Sequence, residues 1–243
     1  MLKKIFHRST PKKRAEVTVD MHSHIIHKLD DGVKSLEESI DIVKTLVSLG
    51  YKKIITTPHI REYVYENSSN EILSRVEVLQ EAIKSENIDV TLEVAAEYYL
   101  DQELFRRVQA KDILTIDDNY LLFETSLLSP PINLYEAIYE MKLQGYQPIL
   151  AHPERYRYIT KPKEIFTKLK EEGVLFQVDI NSIGGHYGRE AKKHAKLLAK
   201  WKMIDFLGSD LHSLKQASFL STIVCSNYYQ KILQTNPIKN NLL

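Results

Sequence analysis

The chain has 243 residues, of which 43% are hydrophobic and 27% charged, and its formal net charge at pH 7 is +1. This is the composition of an ordinary globular protein, and the small net charge gives no general attraction to nucleic acid or to an anionic membrane. No apolar run approaches the ~20 residues that a membrane-spanning helix needs. We therefore expect a cytoplasmic protein. Its single cysteine, Cys225, excludes an intrachain disulfide.

The first segment, residues 1–16, is basic and carries six Lys or Arg residues before its first acidic residue, Glu16. It has no apolar core, so it does not have the pattern of a secretory signal peptide. We interpret it as a solvated tail, with weak binding to a membrane surface or to a partner as the alternative. The folded domain is then predicted to span residues 17–243.

Short β-type runs alternate with helical patterns through this domain. We predict strands at residues 17–21, 53–57, 90–96, 120–123, 148–151, 174–180 and 204–207. Helices are predicted at residues 35–50, 70–85, 133–144, 162–172 and 189–202, the first of them beginning with the capping box formed by Ser35 and Glu38. Alternation of this kind indicates a parallel sheet with helices outside it. A closed or nearly closed α/β barrel of seven strands fits the pattern, and an open doubly wound sheet is the alternative.

Residues of metal-binding type follow six of the seven predicted strands. They are, in chain order, His22, His24, His59, Glu97, Glu124, His152, Asp210 and His212. The carboxyl ends of parallel barrel strands share one face, where active sites form. Each residue alone has an ordinary explanation, such as an ion pair or a helix cap, but their recurrence at one structural position does not. Imidazole and carboxylate together suit zinc, manganese or iron, and this set exceeds what one ion can bind. We predict two or three ions.

Phosphate ester hydrolysis is the chemistry that such a cluster best serves. Closely spaced divalent ions activate a water molecule and bind the phosphoryl oxygens. Arg155, three residues after His152, can add a two-pronged donor for phosphate, or it can be a surface arginine paired with Glu154. Nucleophilic alternatives lack support, because no Gly-x-Ser-x-Gly elbow is present. A cysteine phosphatase would also need arginine six residues after Cys225, where this chain has Lys231.

The ordered motifs resemble those of the polymerase-and-histidinol-phosphatase (PHP) superfamily. They are His22-Ser23-His24, Thr57-Pro58-His59, Glu97, Phe123-Glu124, His152-Pro153-Glu154-Arg155 and Ser209-Asp210-Leu211-His212. Asp30-Asp31-Gly32, with Ser35 to Ser39 after it, narrows the resemblance to bacterial manganese-dependent protein tyrosine phosphatases of capsule and exopolysaccharide systems. The resemblance covers residues 17–214. It implies a single-domain, distorted (β/α)7 barrel of the TIM type, the PHP fold.

The resemblance also implies a trinuclear site, with Mn²⁺ favoured and iron or Zn²⁺ as alternatives. One ion would be held by His22, His24 and Asp210, a second by Glu124 and His152, and a third by His59 and His212, with Glu97 bridging two of them. Either Asp30 or Asp31 would complete the set. Arg155 would bind the phosphate, and Asp210 or His212 would transfer protons. A metal-held hydroxide would attack phosphorus without a phosphoenzyme.

The implied substrate is phosphotyrosine on a protein, with a tyrosine kinase of polysaccharide export as the partner. Two alternatives stay open, namely a small-molecule phosphatase such as histidinol phosphatase, and a degenerate barrel that binds a partner without catalysis. Relatives often carry a glycine before the Asp-Asp-Gly loop and a second arginine after Asp-x-His, where this chain has Leu29 and Lys215. The loop at residues 61–70 is either part of the substrate entrance or plain surface. Self-association into a ring rests on the resemblance alone.

Overall fold

The computed structural model describes residues 16–243, so the predicted basic tail lies outside the described residues except for Glu16. The strands are β1 (Val19–Asp20), β2 (Lys53–Thr56), β3 (His59–Ile60), β4 (Thr91–Val94), β5 (Glu97–Tyr99), β6 (Tyr120–Glu124), β7 (Gln147–Ala151), β8 (Leu175–Asp179) and β9 (Phe206–Gly208). The helices are α1 (Leu36–Ser48), α2 (Ser69–Ser85), α3 (Gln102–Ala110), α4 (Leu134–Leu143), α5 (Pro162–Glu171), α6 (Ile180–Gly184), α7 (Arg189–Trp201), α8 (Leu214–Val224) and α9 (Asn227–Thr235). Single 3-10 turns occupy Pro153–Arg155 and Asn240–Leu242.

The strands form one curled parallel layer. A three-stranded sheet has the order β1-β2-β4, and a six-stranded sheet has the order β3-β5-β6-β7-β8-β9, with every pair parallel. Only Thr57-Pro58 separates β2 from β3, and only Ala95-Ala96 separates β4 from β5. Proline has no N–H for the ladder, which accounts for the interruption at Pro58. Seven of the nine strands therefore overlap the seven predicted strands, and β3 and β5 follow the second and third of these beyond their predicted ends.

The edges of the curled layer meet where β1 faces β9. A parallel bridge joins Ser23 to Leu211. The Asp210 N–H donates to the His22 carbonyl at 2.8 Å, and the His24 N–H donates to the Leu211 carbonyl at 2.9 Å. This joined layer confirms the distorted (β/α)7 barrel and is incompatible with an open doubly wound sheet.

Local sequence explains most of the elements. Ser35 caps α1, its hydroxyl accepting from the Glu38 N–H at 3.3 Å, and Gly50 follows the helix with a φ of +100°, a conformation that favours glycine. The four helices that periodicity did not predict are α3, α6, α8 and α9. Of these, α3 and α9 have nine residues each and α6 has five, fewer than any helix that was predicted. Segments this short span few helical turns and give little periodic signal.

The barrel interior is filled by apolar side chains. Ile55, Leu122, Ile149 and Phe206 belong to one buried cluster with residues of other strands. Their strand neighbours, such as Ile54 and Leu150, instead join the larger cluster between sheet and helices. This alternation follows from the two-residue period of a strand. No helix among residues 16–243 is both long and apolar enough to cross a membrane.

We predict that Asn240→Ala weakens the junction of β1 and β9. The buried Asn240 amide donates to the carbonyls of Val19 at 2.9 Å and Leu207 at 2.6 Å, and it accepts from the Leu207 N–H at 2.9 Å. Losing three buried hydrogen bonds lowers the free energy of unfolding by about 2–4 kcal/mol, measured by urea denaturation. Asn227→Ala, the same change at an exposed position, is the control. Equal stability of the two variants would contradict this role.

Candidate metal centre

The predicted ligands converge at the carboxyl ends of the strands. His22 and His24 follow β1 two residues apart, so extended backbone directs both rings to the same side, and both residues are fully buried. His152 follows β7 directly and Asp210 lies two residues after β9, with φ values of +33° and +47°. Left-handed backbone is uncommon for such residues and is concentrated at functional sites. The strand ends therefore hold these side chains in strained positions directed at one point.

Four donor atoms form the innermost cluster, which lies at 0–1% exposure. His22 Nε2 and His24 Nε2 are 3.1 Å apart. The Glu97 and Asp210 carboxylates each lie 3.2–3.4 Å from both nitrogens. Four donors around one divalent ion with bonds of about 2.1 Å are separated by roughly 3.0–3.4 Å. The spacing and the chemistry of these donors therefore fit a divalent cation.

Two further groups of donors adjoin this cluster. Asp31 Oδ1 lies 3.5 Å from His59 Nε2 and 3.5 Å from His212 Nε2, and His24 completes that group. His59 Nδ1 lies 3.2 Å from Glu97 and 3.6 Å from Glu124 in the other group. A neutral imidazole offers one lone pair. His24 and His59 can therefore each serve only one of the groups that they share.

A second layer of hydrogen bonds orients the imidazole rings. His24 Nδ1 donates to Asp30 at 2.8 Å, and His22 Nδ1 donates to Gln177 Oε1 at 2.9 Å. His212 Nδ1 donates to the Asp210 carbonyl at 2.9 Å. These bonds leave each Nε2 lone pair directed at the donor groups, an arrangement typical of metal-ligating histidines.

The two adjacent aspartates have different positions. Asp31 is among the donor groups, whereas Asp30 lies behind His24. Asp30 Oδ2 also accepts from the His59 N–H at 2.9 Å, and Oδ1 accepts from the Gly32 N–H at 2.9 Å. Both oxygens of Asp30 are therefore engaged by the His24 ring and by backbone N–H groups, and Asp30 belongs to none of the donor groups among residues 16–243.

His152 lies next to the donor groups but belongs to none of the three found in residues 16–243. Its Nε2 is 2.9 Å from Glu97 and 3.8 Å from Glu124. The His152 N–H donates to Gln177 Oε1 at 3.1 Å. Gln177 therefore supports both His22 and His152. It was not predicted from the sequence. The sequence feature that could have identified Gln177 is a lone amide within the apolar run of β8, which corresponds to the only one of the seven predicted strands without a predicted ligand.

Arg155 reaches the innermost cluster from the 3-10 turn after β7. Its Nη1 donates to Asp210 Oδ2 at 2.5 Å, and its guanidinium lies 4.1 Å from the centre of the Tyr187 ring. The alternative pairing with Glu154 is not formed, because Glu154 is buried and accepts from the Asp179 N–H at 3.1 Å. A cation with a planar fork therefore stands beside the donors, and Tyr187, which had no sequence signal, supports it.

Burial and mutual charge shift the pKa values strongly. Burial disfavours the Glu97 carboxylate, but the imidazoles of His22 and His59 outweigh burial and hold the pKa of Glu97 well below its usual value. Burial and the Glu97 charge raise the pKa of Glu124 well above its usual value. Burial and the His24 charge lower the pKa of His59 to about 4. A divalent cation would favour ionised carboxylates and neutral imidazoles together, which resolves these opposing demands.

The loop at residues 61–70 contacts the site. The Tyr65 ring stacks on the His59 ring, with centroids 5.5 Å apart and planes 11° apart. Arg61 lies 4.1 Å over the Tyr99 ring. Asp31 is about half exposed and His212 partly exposed. The donor groups therefore open to solvent beside this loop, which favours the substrate entrance over plain surface.

This chain resembles known proteins in sequence and in fold. The tyrosine-protein phosphatase YwqE of Bacillus subtilis is 29% identical over 202 residues, covering 83% of this chain and 80% of YwqE. A crystal structure from the work on YwqE and on CpsB of Streptococcus pneumoniae, described as metal-dependent tyrosine phosphatases, superposes with a TM-score of 0.77 at 26% identity, covering 90% of this chain and 96% of that one.

A more distant likeness concerns the fold alone. Histidinol phosphate phosphatase of Lactococcus lactis, crystallised with zinc, L-histidinol and phosphate, has a TM-score of 0.53 at 14% identity, covering 86% of this chain and 92% of that one.

The family model for capsular polysaccharide synthesis proteins of the CpsB/CapC type matches residues 18–240. The match spans the barrel and every donor described above, and the chain belongs to the CpsB/CapC family.

Proposed function

We propose that this chain is a metal-dependent phosphatase that removes phosphate from tyrosine residues of proteins in a capsular polysaccharide system. The observation that carries the proposal is the buried four-donor cluster with Arg155 beside it, in a chain of the CpsB/CapC family. A tyrosine kinase of polysaccharide export is the proposed substrate protein. We treat residues 17–243 as one catalytic domain, because Asn240 bonds to both β1 and β9.

We infer the following arrangement of ligands. His22, His24, Glu97 and Asp210 would hold one ion, and Asp31, His59 and His212 would hold a second. Glu124 and His152 would hold a third, with Glu97 also close to them. Asp30 is assigned to positioning rather than to metal binding. Five imidazoles and four carboxylates form a mixed set that suits manganese, iron or zinc, and Mn²⁺ is the ion that we propose from the resemblance. When bound, such ions supply an activated water molecule and neutralise phosphoryl oxygens.

The chain's own groups bind and orient the phosphate. Arg155 presents two parallel N–H donors, and the Tyr187 ring beneath it limits its rotation. Asp210 has one oxygen on the histidines and the other on Arg155, and the cations around it outweigh burial and hold its pKa well below the usual value. A carboxylate so engaged is a poor proton donor. Of the two proton carriers expected, the partly exposed His212 is the better placed.

Access to the donors favours a protein substrate over an enclosed small molecule. Asp31 and His212 reach solvent at the mouth of the site, so a phosphotyrosine side chain can enter while its backbone stays outside. A binding module without catalysis would be expected to lack ligands, and every expected ligand position is filled. No contact among residues 16–243 specifically favours histidinol phosphate.

The first prediction from the proposed function is that turnover is selective and metal-dependent. With added Mn²⁺, the protein is expected to release phosphate from a phosphotyrosine peptide faster than from a phosphoserine peptide or histidinol phosphate. EDTA treatment is expected to abolish this release, and Mn²⁺ to restore it, since no nucleophilic side chain replaces the ions. Malachite-green detection of phosphate measures the rate of release from each of the three substrates. A preference for histidinol phosphate would contradict the assigned substrate, and EDTA-resistant turnover would contradict the metal mechanism.

The second prediction concerns Glu97. Glu97→Gln keeps the shape but removes the charge that faces four imidazoles, so we expect at least one bound metal ion to be lost and kcat to fall about 10²- to 10³-fold. Metal content is measured by inductively coupled plasma mass spectrometry, and kcat is measured on the same protein. His27→Ala removes a histidine outside the donor groups and is the control. Full metal content with normal kcat in Glu97→Gln would refute the site.

The third prediction separates phosphate binding from metal binding. Arg155→Lys keeps the charge but loses the planar fork, so kcat/KM for phosphotyrosine peptide is expected to fall about 10- to 100-fold, as for loss of one charge-assisted hydrogen bond. Metal content is expected to stay that of wild type, unlike in Glu97→Gln. An unchanged kcat/KM would show that Arg155 does not contact the phosphate.

A further inference from the structure

A cleft of about 770 Å³ lies beside Arg155 and Tyr187, which form part of its wall. Arg155 also reaches Asp210 in the innermost cluster. The cleft therefore adjoins the proposed phosphate position through Arg155. Its volume is that of a site for a small ligand or a short piece of polypeptide.

The outer part of the cleft has an excess of positive charge. Arg157, Arg189 and Lys193 line it. Lys193 pairs with Glu190 at 3.2 Å. Arg157 and Arg189 are exposed and make no ion pair with any residue in 16–243. Charge excess of this kind attracts an anionic ligand.

The acidic group at the base of the cleft does not cancel this charge. Glu154 lines the cleft but is 1% exposed, and its Oε1 is engaged by the Asp179 N–H. Apolar side chains, among them Leu127, Ile159 and Pro162, also line the cleft. A surface that joins unpaired guanidinium groups to apolar side chains suits a peptide better than a free anion.

We propose that this cleft binds the part of the substrate protein next to the phosphotyrosine and selects segments that carry aspartate or glutamate. The proposal rests on the proposed function, because Arg155 orients the substrate only if it binds the phosphate. Arg157 and Arg189 then act as specificity-determining residues. They contact carboxylates beside the phosphotyrosine and take no part in the chemistry.

The test compares two phosphotyrosine peptides of equal length, one with acidic and one with amide residues at the flanking positions. For wild type, we expect a lower KM for the acidic peptide. The double variant Arg157→Gln/Arg189→Gln is expected to raise that KM about three- to tenfold, as for loss of two exposed ion pairs. Its kcat, its KM for the amide peptide and its turnover of p-nitrophenyl phosphate are expected to stay unchanged.

A matched control removes the same charge elsewhere. Lys84→Gln/Lys200→Gln replaces two exposed cations that do not line the cleft, and it is expected to keep the preference for the acidic peptide. Loss of the preference in both double variants would attribute it to net charge and overturn the proposal. So would equal KM values for the two peptides in wild type.

Failure of the proposed function has a different signature. If wild type hydrolyses neither phosphotyrosine peptide, binding to the cleft is measured directly by fluorescence anisotropy with a labelled acidic peptide that lacks phosphate. Binding that Arg157→Gln/Arg189→Gln abolishes would support the cleft, and identical binding by both proteins would overturn it. Competition by dextran sulfate without any preference for the acidic peptide would also overturn it, because the cleft would then bind polyanions of any backbone.

Discussion

Glu97 is the group on which the rest of the site depends. Its fully buried carboxylate lies within 2.9–3.3 Å of four imidazoles, those of His22, His24, His59 and His152. A buried charge is costly unless it is compensated, and the apolar barrel interior below offers no compensation. The imidazoles come from three different strand positions. The joined sheet is therefore a condition for holding this charge, since only a closed ring of strands brings these positions together.

A second layer explains why the rings face inward. Gln177 supports His22 through Nδ1 and His152 through its backbone N–H. Asp30 supports His24 through Nδ1 and His59 through its backbone N–H. Each of these two side chains thus fixes one ring directly and one strand end beside it. Since such partners tune both ring orientation and basicity, the geometry of the donor atoms depends on residues outside the donor groups.

The site is rigid at its base and open at its mouth. The fully buried donors come from strand ends, whereas Asp31 and Tyr65 come from loops. Functional residues are commonly arranged this way, with chemistry on the scaffold and access controlled by loops. On one side the Tyr65 loop borders the donors, and on the other the Arg155–Tyr187 pair leads into the cationic cleft. An extended polypeptide can therefore approach along two surfaces while a single phosphate reaches the buried cluster.

The sequence by itself determined the seven strand positions and the chain order of the proposed ligands. Alternating apolar strands and capped helices are local signals, and polar residues directly after strands are visible without coordinates. Residues with weak local signal were missed, including Tyr187 and the nine-residue helices α3 and α9. Only the tertiary structure separated Asp31 from Asp30, because adjacent identical residues differ solely in what they face. It likewise decided that Arg155 pairs with Asp210 rather than with Glu154, because this contact joins residues 55 positions apart that follow β7 and β9, the two strands paired with β8.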